Sequence, residues 1–444
     1  MTSARRTTPK LAMLGGPRTV PRDVPVPRWP VVTEGDRQAV QRVLDSGRFT
    51  SASSGEREIT GLEHAWARRT GTRHCAAVSN GTTALSLALA ACGVAAGDEV
   101  VVPALSFVAT ALAPLHLGAI PVFVDIDPAT FNLDPAGLEA AVTSRTRAVV
   151  PVHLHGLPAD MDEIRAVADR HDLVVVEDAA QAHGVRYQGR PVGSLGHAGA
   201  FSLNVSKNLP TCGEGGLVTT DDASVHDRVT TMRQFGERIP DRGERAYVSE
   251  TLGWNAKISA VQAAFTRSQL ARFDDDQRRR ERNVQRFLRR LTPLAGLAVP
   301  VGRPDRGHGW HILRFRVDPA PFGALTRSAA ALRAVICRAL KAEGVPVSRY
   351  QVVPLPCQPI FTRGSAAAGW RSAPCRVTDI ATAAAVVEDS FTIQRAHLNP
   401  AAGPVLDRYA DAFEKVWDER DVISRMAEAR ATAGADTTTR QDRS

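Results

Sequence analysis

Residues 173–184 read LVVVEDAAQAHG. Four consecutive apolar residues, three of them β-branched, make a strand short enough to be buried on both faces, and the strand ends in two acids, Glu177 and Asp178. A carboxylate delivered at the end of a buried strand needs a cationic or hydrogen-bonding partner, so the stretch points both to an architecture and to a place for chemistry. The same pattern repeats on either side of it. HCAAVS (74–79) precedes a helix in TTALSLALAACG (82–93), and EVVVPA (99–104) precedes VATALAPLHLG (108–118). IPVFVDI (120–126), RAVVPVHL (147–154), GAFSL (199–203) and GLVTT (216–220) continue the series. Short apolar strands alternating with helices predict an α/β fold, a three-layer, doubly wound and mainly parallel sheet. In such sheets ligands bind at the carboxyl ends of the strands.

The chain has 444 residues, enough for one large α/β domain and a smaller companion. Residues 1–30 read as a Pro-rich entry segment, 31–290 as the large domain, 291–430 as a small C-terminal α/β domain and 431–444 as a disordered tail. From 256 to 290 the pattern is helical and strongly charged, as for one long helix leading out of the large domain. WHILRFRV (310–317) reads as a strand and SAAALRAVICRALKAEG (328–344) as a helix ended by Gly344. The net charge of +8 arises from cations scattered among acids, which reads as solvated surface and argues against nucleic-acid binding. The six cysteines form no CxxC pair and no cluster with histidine at ligand spacing, so neither a metal site nor a disulfide framework is expected. Gly and Pro interrupt residues 11–30 short of a signal sequence, and no apolar stretch approaches membrane-spanning length. A cytoplasmic location away from the membrane is expected.

Three segments carry residues suited to catalysis. Asp178 follows a strongly apolar strand, where it either caps the next helix or faces a buried cation such as a protonated pyridine nitrogen. Gln181 lies one helical turn further on, and His183 reads as structural. The segment SNGTTALSLAL (79–89) places Gly81 and Thr82 in a tight strand-to-helix turn, which serves either as a simple N-cap or as a cradle for phosphate. The segment FSLNVSKNLPTCGEGGLVTT (201–220) holds Ser202 and Lys207 ahead of the glycines Gly213, Gly215 and Gly216, which permit close backbone approach. Of the 55 lysines and arginines only Lys10, Lys207, Lys257, Lys341 and Lys415 are lysine. A lysine within an apolar, Gly-rich segment of such a chain invites a role arginine cannot fill, that of an amine that loses its proton and attacks a carbonyl.

Together these segments resemble the DegT/DnrJ/EryC1/StrS family of aminotransferases, of the aspartate-aminotransferase-like fold, over residues 28 to 425. The resemblance implies pyridoxal 5'-phosphate as cofactor, with Lys207 as its Schiff-base lysine, Asp178 as the partner of the pyridine nitrogen and Gln181 at the ring oxygen. It implies Gly81 and Thr82 as the phosphate cradle, Ser202 as the phosphate hydroxyl and Phe107 of PALSFVAT (103–110) as the aromatic stacked on the ring. A GxNxR-like segment, here TLGWNAKIS (251–259), offers Asn255 to the phosphate of a neighbouring subunit, so a homodimer with shared active sites is implied. The chain departs from the family in three places. The NLPTCG loop after Lys207 is one residue longer, Ala256 and Lys257 follow Asn255, and a His-Tyr pair at the substrate side becomes Arg349 and Tyr350. His311 joins these two as a substrate-side candidate.

The implied reaction is a ping-pong transfer of an amino group from glutamate or glutamine to a keto-sugar, keto-cyclitol or related ketone in the synthesis of secondary metabolites such as antibiotics. The competing readings are a lyase or dehydratase on the same fold, such as an aminohydroxybenzoate-synthase-like enzyme, and a non-catalytic regulator. The retained Lys207 counts against a sugar dehydratase that carries His in its place, and the intact Asp178, Ser202 and Lys207 count against a regulator.

Overall fold

Each apolar run forms a strand in the computed structural model, which describes residues 10–441 apart from 52, 54, 240–244, 324–327 and 363–374. The strands are β1 (His74–Val78), β2 (Glu99–Pro103), β3 (Ile120–Val124), β4 (Thr146–Val149) and β5 (Val174–Asp178), then a small hairpin of β6 (Arg186–Tyr187) and β7 (Arg190–Pro191), then β8 (Ala198–Ser202) and β9 (Gly216–Thr220). Helices α1 (Glu34–Ser46), α2 (Glu58–Thr70), α3 (Gly81–Ala91), α4 (Ala109–Leu115), α5 (Pro135–Ala141), α6 (Met161–Arg170), α7 (Ala223–Met232) and α8 (Ala260–Ala271) flank them. The C-terminal part adds α9 (Phe273–Leu291), β10 (Leu297–Ala298), β11 (Leu313–Val317), α10 (Ala329–Glu343), β12 (Val347–Ser348), α11 (Pro359–Thr362), β13 (Arg376–Val377), α12 (Ala381–Asp389), β14 (Ser390–Ile393), α13 (Gly403–Asp418) and α14 (Arg420–Gln441).

The large sheet has the order β1-β9-β8-β5-β4-β2-β3-β13, and only β9 runs against its neighbours. Alternate residues bury into opposite layers, as the period of a strand dictates. Val101, Val122 and Val175 enter the core beneath α2, α6 and α8, whereas Val100, Val102, Phe123, Val174 and Val176 enter the core beneath α3, α4 and α7. A second sheet, β10-β11-β14-β12, packs with α9, α10 and α13 around a third core that also takes Leu11 and Val20 from the entry segment. The chain does not divide cleanly at 290. β13 returns to pair in parallel with β3, and Val386 and Val387 of α12 belong to the large-sheet core.

Two expectations are corrected. The single helix over 256–290 is two helices broken at Arg272, whose backbone is non-helical (φ −110°, ψ 3°). Arg272 is held there by Asp36 and by the Val31 carbonyl, both on the large-domain side, and the break sends α9 off toward the small sheet. The boundary of a tail at 431 falls inside α14, whose backbone is helical to Gln441; residues 442–444 lie outside the described set.

Glu177, the acid before Asp178, is wholly buried and organises the carboxyl end of β5. It accepts hydrogen bonds from the N–H groups of Gly193 (2.7 Å), Leu195 (2.7 Å) and Gly196 (2.8 Å) and lies 3.0 Å from His153 Nε2. Replacing it strands three buried donors at about 1–3 kcal/mol each. Glu177→Ala is therefore expected to lower unfolding free energy by about 3 kcal/mol or more, read as a lower urea midpoint at unchanged slope; an unchanged midpoint refutes this role.

Candidate active site

The site forms where the carboxyl ends of β1, β5 and β8 meet the start of β9. Gly216 is opposed by Val78 on one side and Ser202 on the other, so the turn after β1 and the loop after β8 are brought together across a single residue. A Cβ on Gly216 would stand 2.4 Å from the Asn80 carbonyl oxygen, and one on Gly81 would stand 2.6 Å from Ser202 Cβ. Both positions must therefore be glycine. Asn80 caps α3 by accepting from Thr83 N–H at 2.8 Å, while the N–H groups of Gly81 and Thr82 come too early in the helix to find an acceptor within it. Ser202 borders the same turn, so two amides and a hydroxyl converge at the positive end of α3.

Asp178 extends from the last position of β5, its backbone N–H bonded to the Pro151 carbonyl and its own carbonyl accepting from His153 N–H. Its carboxyl accepts from Thr110 Oγ1 at 2.8 Å and from Ala180 N–H at 3.2 Å, and Thr110 is in turn bonded to Ser106. Burial pushes its proton affinity up, opposed by the Thr110 and Ala180 bonds and more weakly by Lys207. Lys207 sits in the loop closed by bonds from Leu203 N to Gly215 O and from Val205 N to Gly213 O, which absorb the longer NLPTCG segment. The residue is half-buried on the cavity wall, and desolvation of its amine pulls it down to about 8 against the opposing charge of Asp178. At pH 7 about a tenth of this lysine is then an uncharged nucleophile, far more than an ordinary lysine offers.

One cavity of ≈ 1080 Å³ joins these groups, at the large end of the usual scale of a small-molecule site. Gly81, Thr82, Phe107, Asp178, Gln181, Ser202, Lys207, Asn255, His311 and Tyr350 all line it. Phe107 is 55% exposed, a large aromatic face open to the cavity. Gln181 accepts from His155 N–H at 2.7 Å. Asn255 arrives because Ser79 N–H donates to the Ala256 carbonyl at 2.7 Å, so it lines the cavity from its own chain. His311 is carried in by bonds from Gly309 N–H to Gly156 O and from its own N–H to His155 O, and burial keeps its ring neutral. Tyr350 hydrogen-bonds Gln181, and burial raises its hydroxyl to about 12. Arg349 is the exception. It is exposed and turns its guanidinium to the Val352 and Val387 carbonyls, away from the cavity, because it follows β12 on the side opposite Tyr350. His183 is structural, neutral by burial at about 3 and bonded to the Ser202 carbonyl at 2.8 Å. Four further residues about the cavity were not singled out from the sequence: Thr110 on Asp178 and Asn208 beside His311, both inside quoted segments, Trp29, whose indole donates to the Lys207 carbonyl at 3.1 Å, and Arg395.

The model of the DegT/DnrJ/EryC1/StrS aminotransferase family matches residues 30–384. The chain belongs to this family. It is 41% identical over 338 residues to the L-glutamine:scyllo-inosose aminotransferase of Streptomyces griseus, a match covering 73% of this chain and 78% of that protein. It is 42% identical over 347 residues to the L-glutamine:2-deoxy-scyllo-inosose aminotransferase of Streptomyces lividus, covering 75% and 78%. The crystal structure of DesV from S. venezuelae superposes with a TM-score of 0.74 at 34% identity, covering 89% of this chain and 99% of that one. Members of the family depend on pyridoxal phosphate, and this chain is an aminotransferase that uses it.

The cavity fits that cofactor on its own geometry. A protonated pyridine nitrogen would supply the cation that buried Asp178 lacks, and a phosphate would supply acceptors for Gly81, Thr82 and Ser202. The lowered Lys207 gives a direct check. Cofactor uptake by the apo protein requires the neutral amine, so its rate should rise with pH and be half-maximal near pH 8. Asp178 favours the charged ammonium, and Asp178→Asn should shift the midpoint lower. Stopped-flow absorbance reads both, and a midpoint near the ordinary lysine value would refute the assignment.

Proposed function

We propose that this aminotransferase moves the amino group of glutamine, or of glutamate, to a ring ketone of a cyclitol or sugar, with Lys207 as the covalent anchor of the cofactor and the proton carrier. The observation that carries the reading is the convergence of Asp178 and Lys207 on one cavity, part of whose wall holds the neutral hydrogen-bonding groups Tyr350, His311 and Gln181. Pyridoxal phosphate supplies a carbonyl that takes up the amino group and a ring that delocalises the electron pair left by a departing proton. Asp178 would hold the ring nitrogen positive, on which that delocalisation depends. Lys207, once its amine is free, would accept the donor's α-proton and hand it to the cofactor's carbonyl carbon on the same face, being held beside both. Neutral donors and acceptors around the rim suit the hydroxyls of a ring substrate, in accord with the cyclitol ketones named for the two Streptomyces relatives.

Mass spectrometry of product mixtures tests this. Incubation with glutamine and a panel of keto-cyclitols and keto-sugars should give an amine in place of a ketone, and Lys207→Ala should form none. Product from Lys207→Ala, or no amine from any ketone with the wild-type enzyme, rejects the assignment.

The reading includes a homodimer. Tyr247, Val248, Leu252 and Trp254 lead into Asn255 and leave an apolar run on the surface, with Leu252 78% exposed. Such a run beside a site is suited to a symmetric contact. Sedimentation should show a species of twice the 47.7 kDa chain mass; a monomer at micromolar concentration rejects it.

A further inference from the structure

Alternate residues of β11 divide between two surroundings: Leu313, Phe315 and Val317 fill the third core, while Arg314 and Arg316 take the opposite face, toward the large domain. Arg316 pairs with Asp389, but among the described residues no carboxylate pairs with Arg314, which is 2% exposed. Its Nη1 donates to Ser390 Oγ at 2.7 Å and its Nη2 to Gln351 Oε1, and Nε has no partner among the described residues. The guanidinium carbon lies 5.7 Å from the centre of the Phe131 ring, and the Phe131, His155 and Tyr350 rings follow one another edge to face, at 5.6 and 6.4 Å. Phe131 and His155 both hold a left-handed backbone, φ 63° and 59°, which residues other than glycine keep only where the surrounding contacts enforce it. Burial brings Arg314 down to about 10, so it is still a cation at neutral pH, and the Tyr350 phenol acts on it more strongly than Asp389 does. An apolar side chain of like volume would fill the same space without the cost of burying that charge. The charge therefore calls for a purpose beyond packing, and Tyr350 is its neighbour on the wall of the Lys207 cavity.

The hydrogen bonds around Tyr350 give its hydroxyl a direction. Gln181 Oε1 is taken by His155 N–H, so Gln181 meets Tyr350 with its amide N–H and the phenol oxygen accepts. The phenol's own hydrogen is left for a ligand in the cavity. A cation beside the ring draws charge from the hydroxyl and strengthens it as a donor. The hydroxyls of a ring substrate carry hydrogens of their own, whereas its ketone oxygen can only accept. We propose that Arg314 is a positioning residue for the acceptor: by fixing Gln351 and by its charge it holds the Tyr350 hydroxyl as a donor to the oxygen of the ring ketone. This rests on the aminotransfer reading above and deepens it on the ketone side.

The test uses the cofactor-loaded full-length enzyme with glutamine as donor and scyllo-inosose as the first probe ketone, replaced by whichever ketone of the panel wild-type enzyme aminates if that probe is inert. In a ping-pong reaction kcat/KM for each substrate reports its own half of the transfer. Tyr350→Phe should lower kcat/KM for the ketone about 100-fold and Arg314→Met about tenfold, with glutamine within about threefold of wild type in the Arg314 variant. Because Arg314 acts through Tyr350, the double variant should be no worse than Tyr350→Phe alone. Arg314→Lys, which keeps the charge and loses the fork, should fall between wild type and Arg314→Met. A second readout needs no turnover. The chain has four tyrosines, Tyr187, Tyr247, Tyr350 and Tyr409, so 3-fluorotyrosine labelling gives few enough 19F signals to follow each one. Arg314→Met should move the signal that Tyr350→Phe removes and leave those of Tyr187 and Tyr409 in place; if it disturbs these too, Arg314→Lys decides by the same measures. The proposal is overturned if the Tyr350 signal stays put, if the two losses multiply in the double variant, if glutamine loses as much as the ketone, or if Arg314→Lys is no better than Arg314→Met. Failure of the parent reading shows separately, as wild-type enzyme that aminates no ketone.

Discussion

The site depends on the close approach at Gly216. A residue without a side chain lets β9 run back between β1 and β8, and that reversed strand is what sets the turn after one beside the loop after the other. Sterics dictate the rest. With Gly216 and Gly81 in place, Ser202 lies against the first turn of α3 and its amides face the cavity. The glycines add nothing chemically; they allow three segments far apart in sequence to share one small volume.

Burial then sets the electrostatics. Desolvation drives Asp178 and Lys207 toward their neutral forms from opposite directions, and each partly restores the charge of the other. Neither is ion-paired within hydrogen-bonding reach of the other, so both remain available to a ligand that inserts between them. Thr110 and Ala180 orient the carboxyl without neutralising it. Burial holds His183 and His311 neutral, which leaves hydrogen bonding rather than charge at that part of the wall.

Much of this was legible in the sequence, for identifiable reasons. Strands of the large sheet are apolar on both faces and so stand out as continuous runs, and all seven that were read this way formed. Lys207 was conspicuous because the chain otherwise writes its cations as arginine. The same habit hid Arg395, one arginine among many, which lines the cavity and bonds the Lys207 carbonyl. Arg349 misled for the converse reason: its place beside Tyr350 suggested the substrate side, yet consecutive residues of an extended segment point to opposite faces. The break at Arg272 left no mark either, because no Gly or Pro interrupts the pattern and the cause is a tertiary contact with Asp36.

The return of β13 to the large sheet has a consequence for how the molecule holds together. The smaller lobe is joined to the larger through the entry segment at Leu11 and Val20, through the α8–α9 joint, and again through β13 and α12. A lobe stitched in at several points along its chain loses little freedom when it docks, because those points are already held close, and it cannot peel away without disturbing the edge of the sheet it borders. The two lobes are thus coupled into one cooperative unit, and the cavity between β14 and β8 is as durable as the weaker of the two cores that frame it.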